Sequence, residues 1–462
     1  MLHPALLASA PAGCRPLHLV DAEGYAALLP GLEATARRYL EATGFRPTPG
    51  RIAVLPGGES GVSGAVMGIE GREARTVDPF LAARLPAALP EGDYAFAAPP
   101  ANPALATLAF ALATYRFTRY RKAEAPGARL VVPAGVDGAR LSRIAAGVAY
   151  GRDLINTPAS DLGPDALAAA AIATAEAFGA EVEEIAGKKL LKKNFPMIHA
   201  VGRASAEEPR LIDITWGNPR HPKVTLVGKG VCFDTGGLDI KPDTAMLLMK
   251  KDMGGAAAAL AAARMIMGAG LKVRLRVLLS VVENAISANA FRPGDILNSR
   301  KGLTVEIGNT DAEGRLVLGD ALAYADEEAP DLLVDFATLT GAARVALGQE
   351  LPPFFTDDEG LAREIAEIGT AENDPVWRLP LWRNYESLLD SKVADINNTG
   401  SGGMAGSITA ALFLRKFVEN ARSYVHFDIY GWALAEKGGL PMGGNPQAAR
   451  LIHALVERRY GR

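Results

Sequence analysis

The chain has 462 residues, 49% of them hydrophobic and 22% charged, enough to bury a large core and long enough for two or three domains. A formal net charge of -3 leaves no excess of Lys and Arg for a general nucleic-acid surface. The only cysteines, Cys14 and Cys232, are too few for a disulfide framework and are not spaced like a zinc motif. No stretch approaches the roughly 20 apolar residues of a bilayer span, and residues 2–12, broken by Pro4 and Pro11, lack the charged start and unbroken apolar run of a secretory leader. The expected setting is therefore cytoplasmic, away from membranes.

The first part of the chain predicts a helix over 32–42, opened by the breaker Pro30-Gly31, and a strand over 51–55. A strand over 94–99 and a helix over 105–117 follow. Together they predict a small N-terminal α/β domain, residues 1–135. A long helix over 141–154, ending at the turn Asn156-Thr157-Pro158, makes 136–160 the expected linker. Residues 161–462 form the expected catalytic domain. Its apolar runs 211–215, 224–227, 273–282, 332–337 and 425–429 are short and rich in Val, Ile and Leu, and Ala-rich helical stretches such as 256–267 and 316–325 lie between them. Buried strands alternating with helices predict an α/β fold with a mainly parallel central sheet, whose ligands bind at the carboxyl ends of the strands.

The polar residues cluster where that rule points. After the run 224–227, a Gly-rich loop carries Lys229, Asp234, Asp239 and Lys241. Asp252 precedes the Ala-rich helix, and Asp311 and Glu313 stand two apart, a spacing that in extended chain turns both carboxylates to one side. Each has a bland alternative: Asp252 as a helix cap, Lys229 as a surface lysine, Asp239 as a solvent-facing carboxylate. Four carboxylates (Asp234, Asp252, Asp311, Glu313) drawn together repel unless cations compensate, and two divalent metals bridged by them are the natural solution. None of the six histidines lies in these loops. An oxygen-rich site with one lysine amine favours Zn, Mn, Mg or Co.

Residues 309–316 (NTDAEGRL) resemble the signature octapeptide of the leucine (cytosol) aminopeptidase family. The resemblance continues through 228–237, Lys241-Pro242, 251–257, 335–341 (DFATLTG), 377–381, 394–398 and 426–429, so it covers roughly 141 to the C-terminus. It implies a small N-terminal α/β domain, a larger catalytic domain and assembly as a homohexamer. It also implies that Lys229, Asp234, Asp252 and Glu313 ligate one metal. Asp234, Asp311 (also through its main-chain carbonyl) and Glu313 would ligate the other. Lys241 and Arg315 match the two catalytic residues that hold no metal, and Arg315's counterpart holds a bicarbonate ion. Met249, Thr338 and Gly341 match positions lining the pocket for the substrate's first side chain. Where the family has a small residue before the glycine of an HLDIAG-like segment, this chain has Tyr430, whose bulk reshapes that pocket.

The expected activity is that of a leucyl-type metalloaminopeptidase cleaving the first residue from peptides with a free N-terminus. Paired metals would activate water and polarise the scissile carbonyl, and the Lys241 ammonium would stabilise the developing oxyanion. A planar arginine fork suits a bicarbonate at Arg315. Three rivals are a two-metal phosphoesterase, a DNA-binding regulator and an inactive structural oligomer. The octapeptide with its two lysines argues against the first, the acidic charge balance against the second, and the intact set of seven site residues against the third.

Overall fold

A computed structural model describes residues 1–58, 61–71 and 77–461. The chain divides into two compact units, Met1–Ala149 with Leu434–Met442, and Tyr150–Ala433 with Gly443–Arg462. The division falls inside the helix Gly138–Asn156, which the sequence predicts as 141–154.

Among its described residues the first unit holds six strands: β1 (Leu6–Leu7), β2 (Arg15–Val20), β3 (Ile52–Pro56), β4 (Val62–Gly68), β5 (Gly92–Phe96) and β6 (Ala128–Val131). They form one sheet in the order β1-β6-β5-β2-β4-β3, parallel except for the β3–β4 pair. The amphipathic helix Ala34–Ala42 buries Ala36 and Leu40 against Phe45, Ala53, Leu55 and Val66. Apolar on every side, the helix Pro103–Ala113 is buried from Leu105 onward, and Asn102 caps it by accepting from Leu105 N at 3.0 Å. It stops at Ala113, four residues before the predicted end.

The second unit contains β7 (Glu181–Ala186), β8 (Arg210–Trp216), β9 (Lys223–Asp234), β10 (Arg274–Asn284), β11 (Ile296–Asn298), β12 (Thr304–Glu306), β13 (Leu332–Ala337), β14 (Pro353–Phe355), β15 (Trp377–Arg378), β16 (Ile396–Asn397) and β17 (Tyr424–Asp428). Eight of them make the main sheet, ordered β15-β14-β17-β13-β9-β10-β8-β7, while β11, β12 and β16 form a small separate one. The four central strands β17, β13, β9 and β10 run parallel, as the sequence predicts; on one flank β8 pairs antiparallel to β10 and β7 antiparallel to β8, and on the other β14 pairs antiparallel to β17.

Alternation along β9 sets the layers. Gly228 faces the helix Gly254–Ala269, and a Cβ there would stand 2.6 Å from Ala256 Cα, so the bare backbone is what lets helix and sheet approach this closely. The next register position, Lys229 opposite Ser280, turns to the other face, where Ser280 Oγ donates to Val317 O of the helix Gly314–Asp326 at 3.0 Å.

Two sequence expectations are corrected here. Lys229 and Asp234 lie on β9 itself and not in a loop after residue 227, because β10 keeps pairing with β9 as far as Asn284 opposite Asp234. Asp311 and Glu313 do not share an extended segment either. Asp311 sits in a turn, and Glu313 has helical dihedrals (φ -74, ψ -35) as the residue capping the helix Gly314–Asp326.

Candidate metal centre

Three carboxylates, those of Asp234 at the end of β9, Asp252 ahead of the helix Gly254–Ala269, and Glu313 at the start of the helix Gly314–Asp326, each place an oxygen within 4.8 Å of the others. All three residues are buried. Such a concentration of acid in a dry site requires compensation. In this arrangement two lysines provide it. Lys229 Nζ lies 2.8 Å from Asp252 Oδ2 and 2.9 Å from Glu313 Oε1, and Lys241 Nζ lies 2.9 Å from Asp234 Oδ2 and also pairs with Asp311 Oδ1. Asp311 therefore joins the group through Lys241.

The charges respond to one another. Burial opposes the Lys229 charge, but Asp252, Glu313 and Asp234 outweigh it and hold the ammonium above its usual range. Lys241 is raised against its own burial in the same way, by Asp234 and Asp311. Burial and the neighbouring Asp234 push the carboxyl groups of Glu313 and Asp311 upward. A cluster whose acids resist ionisation is one that divalent cations would stabilise strongly. The donor set fits such ions: it is rich in oxygen, and Glu313 Oε2 is buried with no hydrogen-bond partner among the described residues.

Backbone without side chains makes room for Lys229. A Cβ on Gly314 would stand 2.7 Å from Lys229 Nζ, so the first helical residue after Glu313 leaves space for the amine. Supporting hydrogen bonds then aim the carboxylates. Asp234 Oδ1 accepts from Gly236 N (2.8 Å) and Asn284 Nδ2 (2.9 Å). Asp252 Oδ1 accepts from Thr338 Oγ1 at 2.8 Å, while Thr338 O accepts from Lys229 Nζ at 3.0 Å. Asp252 does not cap the helix that follows: its capping position is Met253, with no side-chain bond.

Comparison with known proteins now adds to this geometry. Residues 149–455 match the description "Cytosol aminopeptidase family, catalytic domain", and residues 15–133 match "M17 aminopeptidase, N-terminal domain". This chain belongs to the cytosol aminopeptidase family. A probable cytosol aminopeptidase of Chlorobaculum tepidum is 43% identical over 315 residues, 65% of this chain and 62% of that protein; the match thus spans less than two thirds of that relative's length. One from Syntrophotalea carbinolica is 41% identical over 367 residues, covering 75% and 73%. The crystal structure of the cytosol aminopeptidase from Coxiella burnetii superposes with a TM-score of 0.92 at 42% identity, over 99% of both chains. The bottromycin maturation enzyme BotP in complex with Mn gives 0.85 at 32% identity, over 96% of this chain and 100% of that one.

Of the remaining family-matched residues, Arg315 and Thr338 adjoin the cluster. Arg315 is buried, which lowers its pKa to about 10; Nη1 donates to Asn398 O at 2.8 Å, and Nε has no partner among the described residues. Thr338 is also buried and spends its polar atoms on Asp252 and Lys229. Met249 and Tyr430 are half-buried, and Gly341 is exposed. Tyr430 presents its ring to two cations, Lys251 Nζ at 4.6 Å and Arg344 Cζ at 5.4 Å from the centroid. Lys251 is itself buried, which lowers its pKa to about 8.

Sequence reasoning missed one residue that organises this region. Asn398, fully buried, accepts at Oδ1 from Gly308 N (2.7 Å) and Asn309 N (3.2 Å) and donates through Nδ2 to Asn309 O (2.7 Å). Its carboxamide thus shapes the loop that delivers Asp311 and Glu313. The segment 394–398 was part of the family pattern, but nothing in a lone Asn announces a partner about 90 residues away. Asp239 is exposed as expected, yet Thr310 N donates to its carboxylate at 2.8 Å, and its own N–H donates to Thr310 Oγ1 at 2.9 Å.

Proposed function

We propose that this protein is a metal-dependent aminopeptidase that removes the first residue from peptides with a free N-terminus. The observation that carries the reading is the buried trio Asp234, Asp252 and Glu313 interlocked with Lys229 and Lys241. Lys229, as a neutral amine whose proton is lost to solvent on metal binding, would hold one divalent ion together with Asp234, Asp252 and Glu313, and Asp234, Asp311 and Glu313 would hold the other. Zn or Mn is favoured, with Mg or Co as further candidates; the Mn bound by BotP supports a Mn-competent site. When bound, such ions supply a water nucleophile at neutral pH and polarise the scissile carbonyl.

The chain's own groups do the rest. Were Asp234 and Asp311 to hold metal, the Lys241 ammonium that now pairs with them would be free to stabilise negative charge developing on the carbonyl oxygen. Arg315 offers an Nε unpartnered among the described residues and a planar fork that suits a bicarbonate ion, which would serve as the proton carrier. Thr338 holds Asp252 and Lys229 in place, while Met249, Gly341 and Tyr430 border the site for the first side chain.

The division 1–135, 136–160 and 161–462 into N-terminal domain, linker helix and catalytic domain belongs to the same reading, as do a homohexamer and a cytoplasmic location. Among the described residues no helix is long and apolar enough to cross a membrane. Metal analysis of the purified protein, paired with a panel of aminoacyl arylamides with and without added Mn, tests the proposal. Two metal equivalents per chain and cleavage of free but not N-acetylated substrates are expected. Failure to cleave any of them with both metals bound would overturn it.

A further inference from the structure

Arg344 lies on the short helix Gly341–Leu347, its Cζ 5.4 Å from the Tyr430 ring centroid. A Cβ placed on Gly341 would stand 3.8 Å from Arg344 Nη2. The guanidinium therefore reaches both Gly341 and Tyr430, two of the positions assigned to the first-residue pocket. It also lines a cavity with Thr340, Gln349, Asp428 and Tyr430.

Among the described residues no carboxylate pairs with Arg344, whose charge meets only the face of the Tyr430 ring. Residue 344 is exposed, and it forms no ion pair among the described residues. The one carboxylate in the cavity, Asp428, is buried and already taken. Its Oδ1 accepts from Leu339 N (3.0 Å) and Thr340 N (3.1 Å), and its Oδ2 accepts from Thr340 Oγ1 (2.6 Å) and Ser407 Oγ (3.4 Å). A second cation, Lys251, stands over the same ring.

From this geometry we infer that Arg344 makes the site select peptides whose first residue carries an acidic side chain, glutamyl above all. The inference rests on the aminopeptidase reading. The planar guanidinium has unused donors that match a carboxylate in a paired, two-point fit. Tyr430 supplies an apolar wall along which the methylenes of a glutamyl side chain can lie. A lysyl or arginyl first residue would meet like charge, and a glutaminyl one would keep the shape but lose the charge-assisted bonds.

The test compares kcat/KM for glutamyl, glutaminyl, leucyl and lysyl arylamides on the Mn-loaded protein and on Arg344→Ala and Arg344→Glu. The wild type should favour glutamyl over glutaminyl, and Arg344→Ala should lower that ratio by about tenfold or more, the size of one hydrogen bond to a charged group. Arg344→Glu should shift preference from glutamyl to lysyl. A glutamyl-to-glutaminyl ratio that changes less than about twofold in both variants overturns the inference. Calorimetric binding of reduced-amide analogues of glutamyl-alanine and glutaminyl-alanine to the same three proteins gives the ratio without turnover. If no arylamide is cleaved, the aminopeptidase reading falls, and this binding ratio alone decides the role of Arg344.

Discussion

The main-chain carbonyl of Asn398 accepts a 2.8 Å hydrogen bond from Arg315 Nη1, while the Asn398 side chain secures the backbone of Gly308 and Asn309. One buried residue thus governs both the arginine and the loop bearing Asp311 and Glu313. Replacing Asn398 by Ala would leave several backbone groups unpaired, at about 1–3 kcal/mol for each that water cannot reach. Asn398→Asp keeps the acceptor but cannot donate to Asn309 O. Both variants should lower stability in urea unfolding and lower kcat/KM together. Full activity in the Asp variant would remove the loop-shaping role.

Glu313 is the carboxylate most deeply involved, buried against Lys229 with one oxygen left open. Glu313→Gln preserves its size and removes its charge. The expected outcome is metal content well below two equivalents, with most activity lost and the far-UV circular dichroism unchanged. Retention of both metals would refute its assignment as a ligand.

Lys241 differs from Lys229 in being partly open to solvent, 14% against 3% for the side chains. That exposure suits a group that meets substrate. Lys241→Ala should reduce kcat by about 100- to 1,000-fold, the usual result of losing one oxyanion donor, with a much smaller change in KM. A rise in KM alone would make the lysine a binding group only.

Much of this arrangement is legible in the sequence, and the reasons differ by element. The strands β9, β10, β13 and β17 betray themselves as short apolar runs because a parallel sheet buries both of their faces. β7 escapes notice: its Glu-Val-Glu-Glu-Ile-Ala keeps three acids exposed at the sheet's edge. β2 and β4 are interrupted by Pro16 and Gly64, residues that read as breakers. The five proposed ligands are visible through local motifs, whereas the bonds by which Asn398, Asn284 and Thr338 hold them reach across 50 or more residues, and no local motif announces those partners.

Away from the metal centre, His426 Nδ1 lies 2.6 Å from Asp335 Oδ1, and Tyr424 donates to the other carboxylate oxygen at 2.7 Å. Burial works against a charged imidazole here, but Asp335 outweighs it, so the folded-state pKa of His426 is raised above 6.5. Its stabilisation is therefore fully present below pH about 6.5 and is lost as pH rises through the folded value. The stability gap between wild type and His426→Asn, measured by urea unfolding, should shrink as the pH rises above 6.5. A gap constant across that range would show a histidine neutral throughout.

The reciprocal bonds between Asp239 and Thr310 tie the segment after β9 to the turn carrying Asp311. Solvent access is consequently a poor guide to how freely position 239 can vary. Its likewise exposed neighbours Leu238 and Ile240 have no such duty, and a saturation library should find them permissive. Asp239, in full view of water, should tolerate almost nothing, because two stretches of chain more than 70 residues apart keep their spacing through it.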